Sequence, residues 1–198
     1  MKPTTALVLL ATGFEEIEAI TTIDVLRRAD MDVTVAGLTA GPLTAARKTV
    51  HVPDVALDDV LARDFDIVIL PGGNDGTANL KADARVKELL FRQKAAGRWV
   101  AAICAAPTIL VAHGWLDEDQ KIVSHPGTQK SVPPRHLIAS ARVVVDGDGK
   151  LITSLAAGSA MEFAYAIVTA LRGPEAVRAV DNGVFAPYAL DAALVVEV

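Results

Sequence analysis

Trp99-Val100-Ala101-Ala102-Ile103-Cys104-Ala105-Ala106-Pro107-Thr108 is the stretch whose reading decides the fold. Trp99 to Ile103 is an apolar run of strand length with no polar face, as a strand covered on both sides requires. Thr108-Ile109-Leu110-Val111-Ala112-His113 continues with helical composition, and Pro107 suits a first helical turn, where its missing N–H is no loss. Cys104, the only cysteine, therefore sits at a strand-to-helix turn. Ala102, Ala105 and Ala106 keep that turn sharp, in the manner of an elbow that holds a nucleophile above a parallel sheet. A helix N-terminus favours thiolate over thiol, so the position predicts a reactive sulfur. The competing reading is an inert buried cysteine between apolar flanks.

Outward from this elbow the chain alternates strand and helix. Ala6-Leu7-Val8-Leu9-Leu10-Ala11 predicts a buried strand ended by Thr12-Gly13, and Glu15 to Ala29 predicts a helix with Ile17, Ile20, Ile23 and Leu26 on its apolar side. Val33 to Leu38 is a second strand. Thr39 to Asp58 holds a short apolar piece, Val50-His51-Val52, read as a hairpin or edge excursion. Asp66-Ile67-Val68-Ile69-Leu70 is a third strand closed by the turn Pro71-Gly72-Gly73-Asn74-Asp75-Gly76, with Ala82 to Ala96 as the next helix. Lys121 to Ser124 reads as a short strand. Arg142 to Asp146 and Lys150 to Thr153 flank Gly147-Asp148-Gly149, a hairpin signal. Met161 to Leu171 and about Glu175 to Val180 are helices, separated by the Gly173-Pro174 stop. The apolar tail from Val184 to Val198 is expected to pack on the surface or on a partner subunit.

The 198 residues suit one domain spanning 1–198. A single cysteine excludes an intrachain disulfide, and four scattered histidines argue against structural zinc, so no metal or cofactor is expected and a cytoplasmic location fits. The net charge of −5 is spread without a Lys/Arg run, which gives no footprint for nucleic acid. No apolar run approaches the ~18 residues that span a bilayer, so no membrane partner is expected.

Three strand ends carry candidate chemistry, and in an open parallel sheet those ends form the ligand crevice. Gly72 and Gly73 allow close backbone approach, and their N–H groups with that of Ala105 form a candidate oxyanion hole. Glu15, Glu16 and Glu18 occupy a first helical turn, where the dipole favours acids whatever the function. Glu18 differs, lying beside the apolar side of its helix; facing a thiolate, it would hold its proton and donate it to sulfur. His125, between a strand and a proline turn, is a candidate site imidazole. His113 reads as a helix C-cap, and His51 and His136 as surface or edge residues. Arg47 is a candidate anion contact by its loop position.

Five segments in order resemble the ThiJ/PfpI superfamily, in particular its DJ-one branch of parkinsonism-associated protein deglycase and bacterial relatives, from about Ala6 to Gly173. They are Gly13-Phe14-Glu15-Glu16-Ile17-Glu18, Asp66 to Gly73, Ala101 to Thr108, Ser124-His125-Pro126 and Glu162-Phe163-Ala164. The resemblance implies an α/β, flavodoxin-like three-layer sandwich with a mostly parallel sheet and helices on both faces, and a homodimer. It implies Cys104 as nucleophile, Glu18 as its carboxylic acid, Gly73 and Ala105 as oxyanion donors, His125 as the nearby histidine, and Arg47 as an anion contact near the subunit interface. Two positions depart from the family pattern. Leu155-Ala156-Ala157-Gly158 stands where Arg-Gly-Pro-Gly is common, and Val52 where the mammalian branch has a second cysteine.

The activity so implied is a cofactor-independent glyoxalase or protein deglycase acting on small dicarbonyls or glycated proteins, in stress protection. Two alternatives remain at this level. One is an oxidative-stress sensor or chaperone working through oxidation of Cys104. The other is a peptidase or amidase, which needs an acid to orient His125, and no such acid is evident in the sequence.

Overall fold

The computed structural model describes residues 3–186 and 195–198. The elements run β1 (Thr5–Leu10), α1 (Glu16–Arg28), β2 (Asp32–Gly37), β3 (Leu43–Thr44), β4 (Val50–His51), β5 (Val55–Ala56), β6 (Ile67–Leu70), α2 (Asn74–Ala82), α3 (Ala84–Ala95) and β7 (Trp99–Ile103). They continue with α4 (Pro107–Ala112), β8 (Val143–Asp146), β9 (Leu151–Ser154), α5 (Ala160–Arg172), α6 (Pro174–Val184) and β10 (Val195–Glu197).

One sheet has the order β10-β8-β9-β7-β6-β1-β2-β5, parallel throughout except where β8 pairs antiparallel with β9. Residues on alternate sides of β1 feed two separate cores. Ala6, Val8 and Leu10 join α1 and α5, whereas Leu7, Leu9 and Ala11 join α2, α3 and α4. That double burial is why β1 is an unbroken apolar run. The predicted α/β sandwich, mostly parallel with helices on both faces, is the observed fold.

The switch in strand order falls between β1, whose successor β2 lies on one side, and β6, whose successor β7 lies on the other. Ligands of open α/β sheets bind in the crevice at such a point. The ends of β1, β6 and β7 thus converge where the candidate residues lie.

Several local expectations need correction. The turn read at Pro71 to Gly76 ends at Gly73, and a full helix, α2, begins at Asn74. Gly76 lies inside it because a Cβ there would stand 2.7 Å from Phe14 Cα; its glycine serves packing. Ile17 and Ile20 point outward, 55% and 40% exposed, while α1 buries Glu18, Ala19, Thr22, Ile23, Val25 and Leu26. The strand read at Lys121 to Ser124 is a single bridge, Ile122 to Leu137. β3 and β4 form the expected hairpin, and β8 and β9 the expected antiparallel pair. Of the apolar tail, 195–197 forms an edge strand on β8, and 187–194 lies outside the described residues. Among the described residues no helix is long and apolar enough to cross a membrane.

Candidate active site

Cys104 follows the last residue of β7 with φ +64°, the left-handed region that a side-chain-bearing residue occupies at a cost of about 1–2 kcal/mol. Three hydrogen bonds hold it there. Its N–H donates to the Ser154 carbonyl at the end of β9 (2.9 Å), and its own carbonyl accepts from the His125 N–H (2.8 Å) and the Ser124 hydroxyl (3.0 Å). The neighbouring strand and the loop after α4 therefore impose the strain, and the consequence is a sulfur lifted off the sheet.

Glu18 reaches the same place from α1. Glu15 caps that helix, its carboxylate accepting the Glu18 N–H at 2.8 Å, and the Glu15 N–H ties the cap to the Gly72 carbonyl (3.0 Å). The Glu18 side chain is fully buried, and its Oε2 accepts the Gly72 N–H at 2.7 Å. Oε1 has no partner among nitrogen and oxygen groups and belongs to the carboxyl that faces the thiol. Burial, with the Glu15 charge adding to it, raises Glu18 from the usual 4.5 to about 7, although the Cys104 and Gly72 hydrogen bonds pull it down.

Cys104 shifts the same way. Burial first, then the Glu18 carboxylate, push the thiol up to about 12, against the Gly73 and Ala105 N–H groups that favour the thiolate. The helix-terminus expectation is thus reversed, because α4 has only six residues and its dipole does not outweigh desolvation. Two groups that both resist ionisation titrate as one unit and share a proton. With that proton on Glu18, the sulfur is thiolate.

Gly72 and Gly73 do different jobs. The Gly72 N–H is bound to Glu18, so it is not an oxyanion donor as expected; Gly73, at φ +88°, and Ala105 direct theirs to the sulfur. A Cβ on Gly72 would lie 2.6 Å from Glu18 Oε2, 2.7 Å from Cys104 Cβ and 2.9 Å from the Ile103 carbonyl. Neither a strand carbonyl nor a strained elbow can retreat. Gly72→Ala is expected to destabilise the protein by about 2 kcal/mol and to part acid from thiol, read by thermal denaturation and by a changed pH profile of Cys104 alkylation.

His125 is exposed and joined to the elbow through its backbone; its Nδ1 accepts the Gly127 N–H (3.0 Å), which leaves Nε2 as the protonated, outward nitrogen. No carboxylate among the described residues orients it, so a Cys-His-acid triad is not assembled. Arg47 is exposed; its backbone N–H, not its guanidinium, bonds to Glu16 (2.9 and 3.1 Å). His113 does occupy the C-cap of α4, but burial first and then Lys87 and Lys81 lower its pKa, which opposes a cationic cap. His136, expected at the surface, is 4% exposed, with Nδ1 against the Gln120 carbonyl (2.7 Å) and Nε2 accepting from Arg135 (3.1 Å). Beside 155–158 the Arg142 guanidinium is tied to the Gly158 carbonyl and to Glu162.

Comparison with known proteins follows the same lines. The model of the DJ-1/PfpI family matches residues 4–170. The chain is 41% identical over 184 residues to protein dj-1beta of Drosophila melanogaster, covering 92% of this chain and 97% of that one. It is also 41% identical, over 86% of this chain and 90% of the other, to a Caenorhabditis elegans protein named glutathione-independent glyoxalase DJR-1.2. The crystal structure of Drosophila melanogaster DJ-1beta superposes with a TM-score of 0.89 at 40% identity, covering 94% of this chain and 100% of that one.

Proposed function

Since the chain belongs to the DJ-1/PfpI family, we propose that it is a cofactor-independent thiol enzyme that converts reactive α-ketoaldehydes to hydroxy acids, methylglyoxal to lactate. One observation carries this reading: a strained Cys104 placed between a buried carboxyl that holds its proton to about 7 and two backbone N–H groups. The relative named a glutathione-independent glyoxalase supports it.

The chemistry needs no external oxidant. The thiolate attacks the aldehyde carbon, the carbonyl electron pair moves to oxygen, and the Gly73 and Ala105 N–H groups receive the oxyanion, which takes a proton from Glu18. The hemithioacetal then loses its C1 proton to the Glu18 carboxylate, and the resulting enediol is reprotonated at C2. C1 is oxidised to a thioester while C2 is reduced from ketone to alcohol. Water, with the Glu18 carboxylate as base, breaks the C–S bond and releases lactate. Removal of aldehydes from glycated amines, a role in stress protection, and action in the cytoplasm extend the same reading.

Formation of lactate from methylglyoxal without glutathione is the test. A wild type no faster than buffer overturns the proposal and leaves oxidation of Cys104 as the function of this site.

The homodimer is part of the proposal. Ile17 and Ile20 on α1 and Val50 and Val52 at β4 are all exposed, Val52 at 72%, and Glu16 joins the two elements through Thr49 (3.1 Å) and the Arg47 N–H. This apolar face is assigned to a second copy of the chain, which would place Arg47 at the interface. Val52→Asp is expected to convert a sedimenting dimer to monomer; a wild type that sediments as monomer at micromolar concentration refutes the assignment.

A further inference from the structure

Beside the thiol, and unused by the chemistry above, a groove of about 250 Å³ runs between α2 and α4. It starts at Asn74 and Ala105, the residues adjoining Gly73 and Cys104, and passes Thr77 and Thr108 toward Lys81 and Ser131. That is more room than methylglyoxal fills.

Two independent features show how the groove is furnished. Thr77 is 4% exposed, and its hydroxyl has no hydrogen-bond partner, whereas that of Thr108 donates to the Ala105 carbonyl at 2.7 Å. A buried hydroxyl left without a partner costs about 1–3 kcal/mol and so marks a place where the fold does not complete its own bonding. Lys81 stands about 10 Å along the helix axis from Asn74, exposed and without an ion pair among the described residues. Together with Lys87 it is one of the two charges that act on His113 near the far end, and both are cationic. The dipole of α2 accounts for a lysine in its last turn, but not for the open groove or the idle hydroxyl.

We propose that this groove is a substrate subsite for the carboxylate end of an α-ketoaldehyde whose aldehyde is held at Cys104, with Lys81 pairing the anion and Thr77, whose buried hydroxyl has no partner, in the wall between them. The proposal rests on the ketoaldehyde reading of the site. One lysine with hydroxyls suits a monoanion; a phosphate calls for more cationic charge or a bidentate arginine. In 4,5-dioxopentanoate four C–C bonds separate aldehyde from carboxylate, about 5 Å, and the flexible lysine stem covers the remaining distance.

The experiment compares kcat/KM for 4,5-dioxopentanoate with that for 2-oxopentanal, the same length without the charge, in wild type, Lys81→Gln and Thr77→Val. The wild type prefers the carboxylate substrate, and in Lys81→Gln the preference falls about tenfold, through KM; Thr77→Val lowers kcat/KM for both substrates. An unchanged preference in Lys81→Gln overturns the subsite. A second arm does not need turnover: Cys104 is alkylated with an iodoacetamide ending in a carboxylate and with its methyl-ended counterpart, followed by mass spectrometry. If no ketoaldehyde is turned over, the enzymatic reading fails, yet a carboxylate-favoured alkylation that Lys81→Gln abolishes still upholds the groove. Equal alkylation by both reagents in wild type refutes it.

Discussion

Cys104→Ser lowers kcat/KM for methylglyoxal by at least about a thousandfold while leaving the fold in place. The hydroxyl keeps the size and position of the thiol, and the Gly73 and Ala105 N–H groups remain aimed at the same point, so binding survives. What disappears is an anion that Glu18 can generate by taking one proton. A serine hydroxyl resists ionisation far more than a thiol, and the buried carboxyl is too weak a base to remove its proton at neutral pH. The elbow also gives a stability signature that separates functional strain from ordinary packing. At φ +64° alanine pays the same backbone penalty as cysteine, whereas glycine does not. Cys104→Gly is therefore expected to be more stable than Cys104→Ala by about 1 kcal/mol, the reverse of their order in a helix or strand. Denaturant melts of the two variants measure it; alanine as the more stable variant would show that the three hydrogen bonds around the elbow do not enforce strain.

The parts legible in the sequence are those set by local pattern. β1, β6 and β7 are continuous apolar runs because two cores claim their alternate faces, and the elbow is announced by a strand followed by small residues and a proline. Glu15 is legible only as an acid of the first helical turn; that it caps α1 is shown by the structure. What stays hidden depends on approach from a distance. Gly72 and Gly73 are equivalent letters until Glu18, 54 residues earlier, arrives to take one of the two N–H groups. Asn74-Asp75-Gly76 reads as a turn, although Gly76 is a glycine for the sake of Phe14 packed against it. The triplet spacing of Ile17, Ile20 and Ile23 misleads because it drifts around a helix of 3.6 residues per turn, so that only Ile23 joins the core. His136 gives no signal at all, since its burial rests on Gln120, sixteen residues away.

Glu18→Gln joins loss of activity to gain of stability, and the sign of each follows from the same raised pKa. The thiol–carboxyl unit holds two protons below about 7 and one above it, and the reactive form, thiolate beside carboxylic acid, belongs to the one-proton state. In wild type kcat/KM therefore climbs about tenfold per pH unit below 7 and levels off above it. Glutamine keeps the shape and can still accept the Gly72 N–H, but it cannot take the thiol proton. Cys104 must then ionise alone against burial, so the rise moves to more alkaline pH and activity at pH 7 falls by about a hundredfold or more. Stability moves the other way. In the folded protein Glu18 titrates at about 7, in the unfolded chain at 4.5, so the folded state binds the extra proton and wild-type stability declines as pH rises across that window. At pH 8 the buried carboxylate costs about 3 kcal/mol relative to pH 4, and this is what glutamine removes. Thermal melts are expected to place Glu18→Gln about 8 °C above wild type at pH 8 and level with it, or below, near pH 4. Equal melting temperatures at pH 8 would mean that Glu18 ionises as an ordinary exposed acid, and the proton it is assigned to hold for the thiol would not be there to give.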